Sequence, residues 1–595
     1  KKGFDDSFFL HNYMDFIKPS QIYYRFRNRA NRELYKKKII SINATDEIKI
    51  NREADFLMPE LDFAEDYLER FDLDDIMQNQ LTFINITNKV ELSKAWNGTE
   101  LQQLWRYNLH YFEYSYRLVY EYLNRDNDKK YYDKFKYFVE NWIKKNPLGF
   151  GDGWHPYTVS LRLTNWISVY TVFKEQIQLD KNFADMFKES MYLQYRFLQR
   201  NLEKDVLGNH YFENIKALII GSVFFEDITV KEKFKEELIK QLNEQILEDG
   251  MHFELSPMYH KIILEDLIKM AYWLKADSIY GDLIIYIKKM LNVTYSFEQN
   301  FGKTPAFNDS ADGISKDYKS LLATCNKYFN LEPQSKNSFE DSGFYFIEDK
   351  TKKIIFDAGN ICPSYLPAHG HCDALSFELS LYNNPTIVNS GTYMYKKGKW
   401  RDYFRSTKAH NTVLINDNEQ SQCWSSFRVA KRIKKVRRKQ FDYKKIRFLA
   451  GSYISYGGNE HKRYIGNINE SKIIVLDYVK TGYKNSVKSY LHFTPGAKIE
   501  IQDNKASIII GDNAIKVIAI GVNKIYTEKG WYSEKFNIKE ENEVLCLEKN
   551  NDGKFFGYLI DLNFVNGNIS EFENELRISN EKILVINYDE LGDLF

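Results

Sequence analysis

The sequence predicts a multidomain α+β protein, an α/α toroid of paired helices followed by an antiparallel β-sandwich domain, and three observations predict it. At 595 residues the chain is too long for one hydrophobic core. From about Leu101 to Phe329 apolar residues recur at three- and four-residue spacing, as in helices that bury one face. After the polar stretch LEPQSKNSFEDS (331–342) come short β-branched and aromatic segments bounded by Gly, Asn and Asp, the pattern of a sandwich. The divisions are a mixed N-terminal extension over 1–95, the toroid over 96–335 and the sandwich over 336–595.

Within the extension lie an amphipathic basic helix (IYYRFRNRANRELYKKK), an acidic segment and a candidate strand pair, LTFINITNKVEL. The helical part contains LQQLWRYNLHYFEYSYRLVYEYL, VSLRLTNWISVYTVFKEQI and KEKFKEELIKQLNEQIL, separated by breakers such as NPLGFGDG and EDG. Nine or ten such helices in pairs fit a toroid better than a bundle, with an α-solenoid as the competitor. In the last part, GFYFIED, KKIIFDAG, ALSFELSLYN and SKIIVLDYV are among strands recurring every 8 to 15 residues.

Composition excludes several classes. Lys+Arg 83 against Asp+Glu 82 leaves no global positive field, so a nucleic-acid partner is not expected. Tyr and Phe, 43 and 42 residues, fill cores as well as stacking on sugars. The five scattered cysteines form no CxxC, which argues against a disulfide framework or a thiolate metal site. The longest apolar run, about 217–225, is far short of the roughly 20 residues that span a bilayer, so membrane insertion is not expected. KKGFDDSFFLHNYMDF has acidic residues where a signal peptide needs its apolar stretch. A cytoplasmic location is expected for the chain as given, and a periplasmic or secreted one if a leader has been removed. No motif sets an oligomeric state, and none calls for an organic cofactor: GxSxG and nucleotide fingerprints are absent, and GDGW and NDSADG read as turns.

Four segments place titratable residues among apolar ones. GNHYFENIKALIIG carries Asn209 and His210 ahead of an apolar helix, with Glu213 inside it; Asn209 taken alone reads first as a helix N-cap. In HFELSPMYHKIILEDLI, Ser256 and Pro257 suit a helix start. Tyr259 then falls in the first turn, where a phenolate is favoured by only about 1 kcal/mol. PAHGHCDALSFELSL sets His369 and His371 two apart, on one side of an extended backbone. WRDYFRSTKAHNTVLIND brings Arg401, Tyr403, Arg405 and His410 into another strand. His371, His410 and an oxygen from Asn389 would suit a zinc-like site. Arg162, Asn165 and Trp166, on the helix SLRLTNW, are candidates to bind a carboxylate and stack a sugar. Glu213, Tyr403 and Arg405 are further candidate substrate contacts. KRIKKVRRK (431–439) is a basic strand, more often a solvated face than a polyanion site.

Taken together, GNHYFEN, SPMYH, HGHCDALSFELSL, VNSGTYMY and AHNTV, in this order, resemble the heparinase II/III family of polysaccharide lyases, and LWRYNLHYF and SLRLTNW resemble its helical domain. The resemblance covers most of the chain. It implies an incomplete α/α toroid joined to a β-sandwich, and cleavage of a uronic-acid-containing anionic polysaccharide by β-elimination. It implies that Asn209, with His210 beside it, contacts the uronate carboxylate, whose neutralisation is the main electrostatic requirement. It makes Tyr259 the general acid, and for some substrates the base, and His369 the base or a carboxylate partner. His371 and His410 match positions that in several relatives bind a structural zinc, with an aspartate near Asn389. Here Asn389 stands where the family typically has Asp, and Ser390 where Pro is common. A neutral amide is the poorer ligand, so metal binding is weakened on this reading, and Asp373 reads as a supporting group.

Two other functions compete. A toroidal glycoside hydrolase would use two carboxylates from Asp249, Glu254, Asp309 and Asp312. A non-catalytic glycan-binding or assembly protein would keep the fold alone.

Overall fold

A computed structural model of the chain describes residues 17–42, 48–482, 486–563, 568–572, 574–579 and 583–595. The N-terminal stretch read above for a leader, residues 1–16, lies outside these residues. The basic helix is α1 (Pro19–Lys36), and LTFINITNKVEL forms a hairpin, Gln80–Phe83 against Ile86–Lys89. After a four-residue helix, Leu92–Ala95, ten longer ones follow: α2 (Gln103–Tyr111), α3 (Ser115–Asn124), α4 (Lys129–Lys145), α5 (Pro156–Leu179), α6 (Lys181–Arg200), α7 (Gly208–Phe224), α8 (Ile228–Gln245), α9 (Pro257–Trp273), α10 (Tyr280–Glu298) and α11 (Tyr318–Phe329).

These helices form two layers. α5 packs on α7 and α7 on α9, while α6, α8 and α10 each fold back against the helix before them. The layers follow from the sequence. In α7 every residue except His210 and Val223 is buried, as expected of a helix apolar on all sides. α4 and α6 are amphipathic and leave their lysines outside. Asp180, Asp227, Ser256 and Asp317 cap α6, α8, α9 and α11 through their side-chain oxygens, each cap contributing about 1 kcal/mol.

From Ser338 onward the long elements are strands. An eight-stranded antiparallel sheet, from the edge strand Lys434–Tyr443 to the edge strand Lys498–Gln502, packs on a five-stranded and a four-stranded sheet. Tyr345, Ile354, Phe356, Leu379, Leu491 and Leu545 meet Leu449, Ile465, Val475, Val517 and Tyr558 in the shared core. The basic run KRIKKVRRK therefore lies at a sheet edge, where charges block pairing with other chains. A feature not anticipated is a third layer. A three-stranded sheet (Asn568–Glu571, Glu575–Ser579, Ile583–Asn587) and the last helix cover the outer face of the large sheet, with Leu576, Ile578, Ile586 and Leu591 on Phe448, Tyr464 and Leu476.

The helical and β parts join through an aromatic seam. Phe297, Phe301 and Phe307 pack with Met251 and Leu255 against Phe339, Phe344, Phe346 and Ile355. Along this seam the loop ahead of strand Phe377–Leu381 and the loop 301–313 reach the starts of α7 and α9. Among the described residues no helix is long and apolar enough to cross a membrane.

Candidate functional site

The site is built where α7 and α9 begin. α7 is entered through two left-handed residues, Leu207 (φ 66°) and Gly208 (φ 55°). A Cβ on Gly208 would lie 2.3 Å from Glu254 Oε1, so glycine there admits Glu254. The Asn209 backbone N–H donates to that oxygen at 3.1 Å. Asn209 is no cap: it lies inside the first turn without a capping bond, and among the described residues its side-chain amide has no hydrogen-bond partner. His210 packs on Tyr157 with ring centres 4.3 Å apart and planes tilted by 37°, and its Nδ1 lies 2.9 Å from Glu203 Oε1. Desolvation lowers His210, but the Glu203 carboxylate outweighs it and raises the imidazole above its ordinary value.

At the start of α9, Ser256 Oγ accepts the Tyr259 N–H at 3.3 Å and donates to the Asp309 carbonyl at 2.7 Å. The Tyr259 ring lies 4.0 Å from the His369 ring, centre to centre, and its hydroxyl is 2.9 Å from that of Tyr395. Burial pushes the Tyr259 phenol far above the ordinary tyrosine range. At neutral pH it holds its proton, and the helix end does not produce a phenolate.

His369 and His371 do project to one side, and both find Asp309. His369 Nδ1 is 3.0 Å from Asp309 Oδ2, and His371 Nε2 is 2.9 Å from Oδ1. His369 Nε2 lies 3.2 Å from Glu254 Oε2, but among the described residues that oxygen accepts no hydrogen bond, so Nε2 is left open toward the cleft. Both guanidinium nitrogens Nη1 and Nη2 of Arg401 also bind Asp309. Burial penalises the Asp309 carboxylate, but Arg401 and the two histidines hold it well below the usual range. Gly370, between the histidines, presents its carbonyl to Arg405 Nε and Nη2 at 3.1 and 2.9 Å. Phe427, 38% exposed, closes the cluster 6.0 Å from the His369 ring and 5.1 Å from Tyr395.

Behind this cluster, His371, Asp373 and His410 each offer a ligand atom within 4.8 Å of the others. His371 Nδ1 and His410 Nε2 are 3.3 Å apart. Two nitrogens each about 2.0–2.1 Å from a tetrahedral zinc stand about 3.3–3.4 Å apart, so the pair fits. The other ring nitrogens are held by Asp309 and by the Ser406 carbonyl, which orients the ligand atoms. Burial pushes His371 down to about 4, leaving it neutral as a ligand must be. The oxygen expected from Asn389 is engaged elsewhere. Asn389 spends its amide on the Asn411 N–H (3.1 Å) and on Ser376 Oγ (3.2 Å), and Asp373, expected to stand behind the ligands, offers a carboxylate oxygen beside the two histidines.

The six residues expected to contact substrate are engaged elsewhere. Arg162 is buried, donates to Gln194 and to the His110 and Gly153 carbonyls, and stacks 3.8 Å from Trp142. Asn165 bonds the Tyr111 carbonyl and the Tyr116 hydroxyl. Trp166 packs in the core on Phe112, Trp142 and Phe187. Glu213 is buried and paired with Lys216 at 2.7 Å. The Tyr403 hydroxyl accepts the Trp531 N–H. Arg405 gives its guanidinium to backbone carbonyls, a brace for the His369–His371 turn. Tyr157, Glu203, Tyr395 and Phe427 escaped the sequence reading. Tyr395 lies in a quoted motif (VNSGTYMY) and Tyr157 just ahead of SLRLTNW, but tyrosine is too common here to stand out.

Helical toroid, β-sandwich and a Tyr–His–Asn cluster at their seam define a toroid–sandwich protein. The description "Heparinase II/III N-terminus" matches residues 19–337 and "Heparinase II/III-like, C-terminal" residues 332–577. The chain belongs to the heparinase II/III family. It is similar to the heparin-sulfate lyase of Bacteroides stercoris, 22% identical over 511 residues covering 71% of this chain and 72% of that protein. It is also similar to the heparin-sulfate lyase of Pedobacter heparinus, 22% identical over 387 residues covering 59% and 56%. The matched stretch is thus little more than half of the latter's length. The crystal structure of heparinase III aligns at TM-score 0.71 and 16% identity over 95% of each chain, a likeness of fold.

Proposed function

We propose that this chain is a polysaccharide lyase that cleaves a uronic-acid-containing glycosaminoglycan, of the heparan-sulfate kind for which its relatives are named, by β-elimination. The observation that carries the reading is the pairing of Tyr259 with His369 at 4.0 Å, beside the unpartnered amide of Asn209. Asn209 binds the uronate carboxylate, which acidifies the C5 proton and stabilises the enolate-like anion that forms when it leaves. His369, its ring held through Nδ1 by Asp309, takes that proton. The electron pair forms the C4–C5 double bond, the C4–O bond breaks, and the departing oxygen receives the phenolic proton of Tyr259. The elevated Tyr259 value supports the acid role and leaves the base role to His369.

Of the carboxylates that a hydrolase would need, the most deeply buried is held in a charge pair, and the others accept hydrogen bonds from neighbouring groups. Asp309 is locked by Arg401, Asp249 accepts from Ser342 and the Met251 N–H, Asp312 accepts the Thr304 N–H, and Glu254 accepts from Asn209. Incubation with heparan sulfate should release oligosaccharides with an unsaturated, ultraviolet-absorbing end. New reducing ends without that absorbance would mark a hydrolase, and no new ends of either kind a binding protein.

A zinc ion held by His371, Asp373 and His410 would supply a structural cross-link between two loops behind the base. We expect one zinc per chain by elemental analysis after dialysis against zinc. Asp373→Asn should remove it and lower the thermal midpoint of the zinc-treated protein to that of the chelated parent. Equal zinc content in parent and variant would rule these ligands out.

A further inference from the structure

The lyase reading leaves one prominent sequence feature unused, the basic helix α1. Asn28 Nδ2 donates to the Leu202 carbonyl (3.1 Å) and Asp205 Oδ1 (2.8 Å), and Arg27 to the Arg200 carbonyl. The Tyr35 ring packs 5.4 Å from Phe197. These contacts seat α1 on the segment carrying Glu203, whose Oε1 lies 2.9 Å from His210 and 3.6 Å from His155. Beside the buried face run Arg25, Arg29, Arg32 and Lys36, a 4-3-4 spacing that lines up one stripe. All four are exposed, and with Glu33 they line one shallow groove.

Lys36 is paired with Glu33 at 2.9 Å, whereas among the described residues no carboxylate pairs with Arg25, Arg29 or Arg32. Like charges at this spacing repel and weaken a helix, so the stripe costs stability unless an anion covers it. From Arg25 to Lys36 the stripe runs about 16 Å at 1.5 Å per residue, too long for one small anion and suited to a polymer with repeated charges. Guanidinium groups match sulfate and carboxylate in bidentate fashion. At the Arg32 end the stripe approaches the rim of the cleft, where the positive charge of Arg32 acts on His155 and Tyr107.

The basic edge strand offers no such track, because Arg437 faces Glu460 and Arg438 binds the Glu340 and Asp341 carbonyls. An anionic membrane fits α1 less well. Tyr23 and Phe26 are 63% and 71% exposed but lie about 160° and 100° around the helix from Arg25, whereas a bilayer needs cations flanking one apolar face.

We propose that Arg25, Arg29 and Arg32 form a distal subsite that binds sulfate or carboxylate groups of a glycosaminoglycan beyond the linkage being cleaved. The inference rests on the lyase reading, and its test separates the two. Parent, Arg25→Ala/Arg29→Ala/Arg32→Ala and the matching triple Lys variant are compared on heparan sulfate polymer and on a tetrasaccharide, between about 50 and 200 mM salt. The triple Ala variant should raise KM for the polymer about tenfold at low salt, flatten its salt dependence and leave kcat within about twofold. The tetrasaccharide should be unaffected, and the Lys variant should keep most of the salt dependence. An unchanged polymer KM and salt slope in an active enzyme would overturn the subsite alone. A parent that cleaves nothing, yet needs the three arginines to stay on immobilised heparan sulfate, would overturn the lyase reading and keep the subsite. Retention on phosphatidylserine vesicles that needs the arginines and is not displaced by heparan sulfate would overturn it in favour of a membrane.

Discussion

Tyr259→Phe is expected to leave the chain folded and lower kcat on heparan sulfate by about 10²- to 10⁴-fold, the usual worth of a positioned general acid. The change deletes one oxygen and little volume. What it strands is the Tyr395 hydroxyl, 2.9 Å away in the parent, a loss of about 1 kcal/mol. Because the phenol acts on charge that develops as the C4–O bond breaks, kcat should fall while KM stays close to the parent value. A uronide whose leaving oxygen is already acidic needs no proton, and on such a substrate the deficit should shrink. A Tyr259→Phe enzyme with near-parental kcat on the natural polymer would refute the acid role. A deficit unchanged on the activated substrate would instead make Tyr259 the base.

The second large effect falls on Asp309, which serves Arg401, His369 and His371 at once. Asp309→Asn should destabilise the protein by about 3–5 kcal/mol, because Arg401 becomes a buried charge without a partner. An amide cannot substitute, because Arg401 donates to both oxygens, so the new NH₂ meets a donor whichever way it is turned. Adding Arg401→Gln to Asp309→Asn should recover a large part of the loss, the signature of a coupled pair. Activity should not return with it, since His369 has lost the group that orients its ring. Thermal melts of the four proteins check this, and additive losses would refute it. Linkage sets the pH range. The folded Asp309 value is depressed, so its contribution is complete above the unfolded carboxylate value of about 3.9 and is lost as pH falls from there through the folded value.

Much of this was legible in residues close together in the chain. The period change near 335, the Ser256–Pro257 start that aims Tyr259, and the glycine-spaced histidines all depend on local backbone rules. The convergence of His371 and His410 was legible from the resemblance. What stayed hidden depends on contacts across the chain. Asp309 and Arg401 are 92 residues apart, and neither loop announces a charge pair. Arg162, Asn165 and Trp166 read as a ligand-binding face, and Glu213 as a further contact, because polar residues on a helix usually face outward. The middle of α5 and most of α7 are buried, so Arg162, Asn165 and Glu213 bond to neighbouring side chains and carbonyls instead. Asn389 occupies the position expected for a ligand, while Asp373, two residues from His371, reads as a supporting group, because the path of its loop, which sets where the carboxylate lies, depends on contacts distant in the chain.

The aromatic seam carries a mechanical meaning. Interfaces between domains are usually small and polar enough to hinge, but here phenylalanines from both halves interlock as tightly as in a domain interior, and such packing resists sliding. Elsewhere the two parts meet through buried polar contacts, among them Arg401 on Asp309 and the Asn308 N–H on Asp373, and through bonds nearer the N-terminus, Asn85 to the Phe536 carbonyl and Asn537 to the Ile84 carbonyl. The two parts are therefore fastened at several places, and a site assembled across such a seam keeps the spacing of its side chains without help from the substrate.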